Sequence, residues 1–504
     1  MRWNNGLKKR RIAAATAAIL ALTVMLIHLV YAEEPAPSNQ NTNVPEQKAE
    51  EPAPSNQNTT VPEQKAEEPA QLNQNTAMPA QPEKNDRTGE GLITKGETLT
   101  LSRCIEIALK KNPTIVAAVN TVGVNRSRVG EARSAYYPQI SATGAYSRSR
   151  SITRPQVNPF STTAPVNESS GTVTLNQNIY DFGRTSSQVD VSKYNLESSN
   201  SDLTATEDTI ILNVKQAYYG VLQARRNRDV AADVIKQFQL HLDQAKGFYD
   251  VGTKAKIDVI KAEVDLSNAT LSLINAENAL KIALVTLNNA MGVPDAPAYS
   301  IEDNLSFQQY PITLEEATAK ALENRPDLKS IVAKRQGAEA NINLQRSGYY
   351  PFLSGNANYT KSESTVDIEP KISSNTNAWD VGVALTFPLF NGFITSHQVA
   401  EAKSNFYVLK ANEEAIRQQI LLDVRQAYLN LQAAEASIST ADLAVKQAKE
   451  NMDLANGRYS AGVGSPIEVS DAFATYVTTQ ANYTSSLANY KIAQASIERA
   501  MGAR

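Results

Sequence analysis

Apolar positions in this chain follow a helical and a strand period, and each pattern occurs twice in the same order. From about Thr185 to Phe248, and again from Thr395 to Arg458, there is no proline and almost no internal glycine. Each stretch therefore predicts one helix, roughly 100 Å long at ~1.5 Å per residue. In the second stretch Val424, Ala427, Leu431, Ala434, Ile438, Ala441, Val445, Ala448, Met452, Ala455 and Tyr459 keep the alternating three-and-four spacing of a heptad seam. Returning helices carry matching seams, Val259, Ala262, Leu266, Ala269, Leu273, Ala276, Leu280, Ala283 and Leu287, echoed by Val469, Ala472, Tyr476, Thr479, Tyr483, Ser486, Tyr490, Ala493 and Ile497. Large residues alternate with small ones, which lets two backbones approach closely, so each pair reads as an antiparallel hairpin. Ile260, Val264, Leu271 and Ile274 add a second stripe, as a helix with neighbours on both sides requires.

Period-two segments precede each hairpin. Tyr136-Tyr137-Pro138 opens one that runs to about Ser149, and Thr172 to Tyr180 alternates Val173, Leu175 and Ile179 with threonine and asparagine. In the second half Trp379, Val381, Val383, Leu385, Phe387 and Leu389 share one face, while Asp380, Gly382, Ala384 and Thr386 share the other. Such a pattern suits a half-buried soluble sheet. It equally suits a transmembrane β-strand of ~9–11 residues with apolar side chains toward lipid. Four such strands are too few to close a membrane barrel, since barrels begin at about eight, so spanning strands would require several chains to share one barrel.

The halves are copies. Leu101, Ala108, Leu109, Pro113, Tyr136, Tyr137, Pro138 and Tyr146 recur as Leu314, Ala321, Leu322, Pro326, Tyr349, Tyr350, Pro351 and Tyr359. Gln216-Ala217-Tyr218, Tyr249, Gly252 and Ala290-Met291-Gly292 return as Gln426-Ala427-Tyr428, Tyr459, Gly462 and Ala500-Met501-Gly502. A tandem copy predicts equivalent halves in similar environments, here residues 98–298 and 312–504 joined by a linker over 299–311.

Ahead of them, Lys8, Lys9, Arg10 and Arg11 precede an apolar run from Ile12 to Val30 and then Tyr31-Ala32. This is the layout of a signal peptide over residues 1–32; an uncleaved membrane anchor is the alternative. Residues 33–97 begin with EEPAPSNQNTNVPEQKA and its near-copy, so poor in apolar side chains that the segment cannot offset its ordering entropy and is expected to be a disordered tether. We expect the tether to contact the cell wall's peptidoglycan or a protein partner; deletion of Glu33 to Lys84 should then reduce cell-wall co-sedimentation or partner capture, and no change in either would contradict it.

Little in the composition suggests chemistry. A net charge of −3 gives no electrostatic footprint for nucleic acid. The three histidines, His28, His241 and His397, are isolated, without metal-ligand spacing, and no cofactor is expected. Cys104, the single cysteine, lies on an apolar helical face and is expected to be a buried structural thiol. Asp181-Phe182-Gly183 spells a kinase tripeptide, but at a strand-to-helix junction without the accompanying glycine-rich and catalytic loops it is a bend. No nucleophile sits with a base, so no catalytic residue is assigned and an enzyme is not expected.

Hairpin turns complete the picture: Tyr249-Asp250-Val251-Gly252-Thr253 and Tyr459-Ser460-Ala461-Gly462-Val463. Gly252 and Gly462 can take the left-handed conformation that ends a helix. Ser465-Pro466-Ile467-Glu468 reads as a capping box. Duplicated halves, paired strands, and tips of the form Tyr-x-x-Gly followed by an acidic residue resemble the TolC family of bacterial outer-membrane efflux proteins, a match covering nearly everything from Leu99 onward.

That resemblance implies a membrane α+β fold in which three chains build one twelve-stranded β-barrel in the outer membrane of a Gram-negative cell, continuous with a twelve-helix coiled-coil α-barrel in the periplasm. Two tandem structural repeats per chain would supply the strands and helices. It implies a gated exit duct for tripartite efflux or type I secretion. The partners would be a periplasmic adaptor, an inner-membrane transporter and outer-membrane lipid, the last met by Trp379, Val381, Val383, Leu385 and Phe387. The tip and gate positions would be Tyr249, Gly252, Asp258, Tyr459, Gly462, Glu468 and Asp471. Glu468 and Asp471 share one helix face, and three-fold symmetry would make them a ring of carboxylates that attracts cations; alternatively Glu468 only caps its helix and Asp471 is a solvated charge. Family members often carry an arginine just after the second tip glycine, where this chain has Gly464, and Lys254 follows the first tip glycine instead. The competing reading is a periplasmic coiled-coil adaptor or scaffold with a soluble β-domain and no pore of its own.

Overall fold

The structure, a computed structural model, describes residues 93–150 and 164–503. The expected signal segment and the tether as far as residue 92 lie outside the described residues. Elements run β1 (Thr98–Leu99), α1 (Leu101–Lys111), α2 (Pro113–Ser134), β2 (Gln139–Ser149), β3 (Val166–Tyr180), α3 (Arg184–Asp250), α4 (Lys256–Met291), β4 (Ser300–Ile301), α5 (Leu314–Asn324), α6 (Pro326–Arg346), β5 (Phe352–Val366), β6 (Ile372–Thr386), α7 (Ile394–Ser460) and α8 (Pro466–Ala500). The repeat is metrically close: α3 and α7 are each 67 residues long, and α1 and α5 each 11. Among the described residues no helix is long and apolar enough to cross a membrane.

Two expected boundaries are corrected. Order begins before Thr98, because Ile93 is buried and the Gly96 N–H donates to the Ala298 carbonyl at 2.9 Å. Residues 299–311 are more than a linker, since Ser300 and Ile301 pair in parallel with Thr98 and Leu99. Both changes have one cause: the chain entering the first repeat and the chain leaving it lie side by side and satisfy each other's backbone groups.

Around this crossing sits the largest apolar core, where α1 and α5 pack on the long helices through Ile107, Tyr218, Leu222, Leu287, Ile420, Val424 and Tyr490. Cys104 is fully buried there, and burial pushes its thiol pKa up to about 12. Gly292 and Gly502 explain the duplicated Ala-Met-Gly motif. Both are left-handed, and a Cβ would lie 2.7 Å from the Asn112 Cα in one repeat and 3.0 Å from the Arg325 backbone nitrogen in the other. Only glycine lets each long hairpin end against its α1–α2 or α5–α6 corner.

The four long strands form one antiparallel sheet in the order β2-β3-β5-β6, and among the described residues β2 and β6 are its unpaired edges. Cross-strand register sorts its faces. Trp379, Tyr359, Val173 and Ala142 form one row, and Val381, Ala357, Leu175 and Ile140 the next. On the opposite face Asp380, Asn358, Thr174 and Ser141 align. There the Asn358 and Asn356 amides donate to the Asp380 carboxylate at 3.0 and 3.3 Å, and the Thr172 and Thr360 hydroxyls lie 3.1 Å apart. β3 and β6 start earlier than the apolar alternation suggests, at Val166 and Ile372, and are 15 residues each. Phe387, expected within the strand, lies just past it: Thr386 pairs with Phe352, and Phe387 would face Pro351, which has no N–H to donate.

Each strand-to-helix junction turns through two successive left-handed residues, Phe182-Gly183 and Gly392-Phe393. The Asp181 carboxylate accepts from the Thr185 N–H at 2.8 Å, fixing the start of α3. The tripeptide is thus the bend its position suggests.

Candidate functional site at the hairpin tips

The heptad seams drive four helices together near the hairpin turns. Val234 and Phe238 of α3, Ala269 of α4, Ala455 and Tyr459 of α7, and Val469, Ala472 and Phe473 of α8 form a buried cluster there. Phe238 and Phe473 have ring centroids 5.0 Å apart. Each turn closes on a left-handed glycine, Gly252 at φ +74° and Gly462 at φ +80°. Their N–H groups donate to the Tyr249 and Tyr459 carbonyls, both at 2.9 Å.

Repeat symmetry fails at this point. Tyr459 is fully buried, whereas its counterpart Tyr249 is 45% exposed. The expectation of equivalent environments is corrected here because α8 packs along α3, so the second hairpin's tip is covered by the first. Tyr459 meets His241 at 4.5 Å and Phe248 at 5.8 Å between centroids, and Lys254 lies 5.7 Å above its ring. Burial, and then the nearby Asp258 carboxylate, raise the Tyr459 pKa. Lys254 also donates to the Gly462 and Gly464 carbonyls, each at 3.4 Å, joining one turn to the other.

Gly464, conspicuous in the sequence, has a steric explanation. A Cβ at 464 would lie 2.6 Å from the Tyr459 backbone nitrogen and 2.9 Å from the Arg458 carbonyl carbon. No side chain fits while the turn stays closed on Tyr459.

Glu468 departs from its expected role. Ser465 does cap α8, its Oγ accepting from the Ile467 N–H at 3.2 Å, with Pro466 in the first turn. Glu468 does not reach back to complete a capping box; it turns to Arg458, Nε to Oε2 3.3 Å, across the hairpin. The cation beside it competes successfully with a backbone N–H. A reciprocal box occurs instead between Thr313 and Glu316. Asp471 is exposed and lines a groove of about 430 Å³ with Phe238, Asp265, Asn268, Ser470 and Phe473. Asp265 is buried and held by Lys261 and by the Ser470 hydroxyl, tying α4 to α8.

Tyr459, Gly462 and Asp258 therefore share one neighbourhood, Glu468 and Asp471 stand on the adjoining exposed face, and Tyr249 stands apart. Sequence reading missed His241, Arg458 and Asp265. A signal for the first was present: Val234, Phe238, His241 and Ala245 continue the four-three-four spacing of a buried seam.

The family described as outer membrane efflux protein matches this chain over residues 104–293 and 317–503. Outer membrane protein TolC of Vibrio cholerae serotype O1 is similar, 24% identical over 377 residues that cover 74% of this chain and 84% of that protein. Protein CyaE of Bordetella pertussis is 25% identical, covering 74% and 77%. Among solved structures, the CusC channel superposes with a TM-score of 0.69 at 17% identity over 84% of this chain and 99% of that one. The outer membrane protein VceC of Vibrio cholerae gives 0.66 at 16% over 80% and 96%.

Proposed function

The chain belongs to the outer membrane efflux protein family, and on that footing we propose that three copies close one barrel and form the exit duct of a tripartite efflux or type I secretion system. The duct lies in the outer membrane and works with a periplasmic adaptor and an inner-membrane pump. One observation carries the reading: a sheet with an apolar face, a polar face and two unpaired edges.

In a bilayer every backbone N–H and C=O needs an internal partner, so an open four-stranded sheet cannot span. Closure needs more strands, and three copies give twelve. Leu385 to Trp379 covers roughly 20 Å at ~3.4 Å per residue, near the ~25 Å apolar band of such barrels. Aromatic side chains border it, with Trp379 and Tyr359 at one end and Phe182, Tyr350, Phe390 and Phe393 toward the helices. The polar face, with Asn356, Asn358, Asp380 and Thr174, then lines water.

The helices support the same assembly. Ile260, Val264, Leu271 and Ile274 of α4 are all exposed in the single chain. An apolar stripe of that length on a periplasmic helix needs a cover, and the neighbouring protomer supplies it. The adaptor reading leaves both the stripe and the exposed apolar face of Trp379, Val381 and Val383 without a cover.

At the tip, Tyr459, Asp258, Lys254 and the turn glycines hold the gate, while Glu468 and Asp471 from three chains ring the entrance and favour cations. The test is a planar bilayer recording on protein purified in mild detergent, with its mass measured. A trimer with small, cation-preferring conductance is expected. Substituting both Glu468 and Asp471 with alanine should move the reversal potential toward zero and weaken block by trivalent cations; an unchanged reversal potential would contradict the ring. A monomer without conductance would revive the adaptor.

A further inference from the structure

His241 is 3% exposed, in the middle of the tip packing, and neither ring nitrogen has a hydrogen-bond partner among the described residues. The Tyr459 hydroxyl, whose ring it stacks against, has none either. A neutral imidazole carries one N–H and one lone pair, so the stacked pair of rings carries three unpartnered polar atoms. Buried polar atoms are nearly always paired, so each exception calls for a functional or structural reason.

We propose that His241 is the proton-operated switch of the tip: neutral, it lets α3 lie against Tyr459 and holds the gate shut; protonated, it drives α3 and α7 apart. This rests on the reading of the tip as the gate. An imidazolium needs acceptors for two N–H groups, and among the described residues neither ring nitrogen is hydrogen-bonded to one. Its surroundings are mostly apolar. Leu242 and Ala245 flank it on α3, Tyr459 comes from α7, and α8 adds Val469, Ala472 and Phe473 to the adjoining cluster. The charged groups that act on it come from α4: Asp265 and Asp258 favour the proton, and Lys261 opposes it. Asp265, the stronger of the two carboxylates, is also engaged by Lys261 and Ser470, and its pull is outweighed by burial. Burial is the largest influence and lowers the His241 pKa below its usual value.

The sign follows from linkage. A group whose pKa is depressed in the closed tip and ordinary in the open one favours opening as pH falls through about 6.5. Each unit of pH below that shifts the open-to-closed ratio by up to about tenfold per protomer, until the closed-state pKa is reached.

The experiment records conductance of the full-length chain in planar bilayers between about pH 7.5 and pH 5, for the native protein and for His241→Phe, which keeps an aromatic ring against Tyr459 but cannot titrate. His241→Gln serves as a second neutral variant should the first fail to assemble. Native conductance is expected to rise severalfold on acidification while the variants stay flat or fall. Protonation of Glu468 and Asp471 affects all of them alike, so the ratio of native to variant isolates the histidine. Superimposable pH profiles in conducting native and variant trimers would overturn the switch and leave the gate reading intact. A native chain that forms no conducting trimer at any pH would count against the gate reading instead.

Discussion

Val381→Arg should remove the trimer from the outer membrane. Val381 is 71% exposed in the single chain and lies on the face shared with Ala357, Leu175 and Ile140. On a soluble sheet, arginine at so exposed a position would change stability by about 0.5 kcal/mol or less. At the middle of a lipid-facing band it costs ~2–4 kcal/mol. In the proposed barrel of three copies the penalty would reach the scale of a whole domain's stability, ~5–15 kcal/mol. The contrast is Thr174→Lys, one residue from Val173 and Leu175 but on the polar face beside Asn358. That variant should assemble normally and alter only conductance. Heat-modifiable mobility of outer-membrane fractions measures both, and normal assembly of Val381→Arg would show that this face does not meet lipid.

Gly464→Arg should loosen the tip rather than tighten it. By resemblance to its family, an arginine here would strengthen the closed network. The structure argues the opposite, because a Cβ would already sit 2.6 Å from the Tyr459 backbone nitrogen. Relief requires the turn to move, which withdraws Tyr459 from Phe248 and His241 and pulls the Gly464 carbonyl from Lys254. Overpacking of this kind costs about 1–3 kcal/mol, which corresponds to a shift of about 5- to 150-fold in the balance of closed and open tips. Gly464→Ala carries the same Cβ without the charge and should raise conductance comparably. If arginine lowers conductance while alanine raises it, charge and not steric fit governs this position.

Much of the fold is legible in residue spacing. The seam from Val424 to Tyr459 lies inside α7, and each of its members is buried or half-buried. Gly252 and Gly462 take the conformation that the Tyr-x-x-Gly turns require. These features are local: a heptad or a left-handed turn is specified by residues a few positions apart. Strand ends were less legible. Ile372 to Ala378 is mostly polar and lacks the apolar alternation that begins at Trp379, and its pairing with β5 depends on a partner strand that the alternation of β6 alone does not reveal.

The candidate site divides along the same line. Sequence by itself determined the two long hairpins, their tips, the two-faced strands and the tandem order, because each follows from short-range periodicity and turn chemistry repeated in two copies. Tertiary structure alone decided that the copies are unequal. Packing of α8 on α3 buries Tyr459 and leaves Tyr249 in solvent. It also brings His241 against a tyrosine more than two hundred positions away and sets Lys254 over the second turn. Those contacts depend on which helix faces which across the bundle, a relation that no residue's neighbours in the chain can encode.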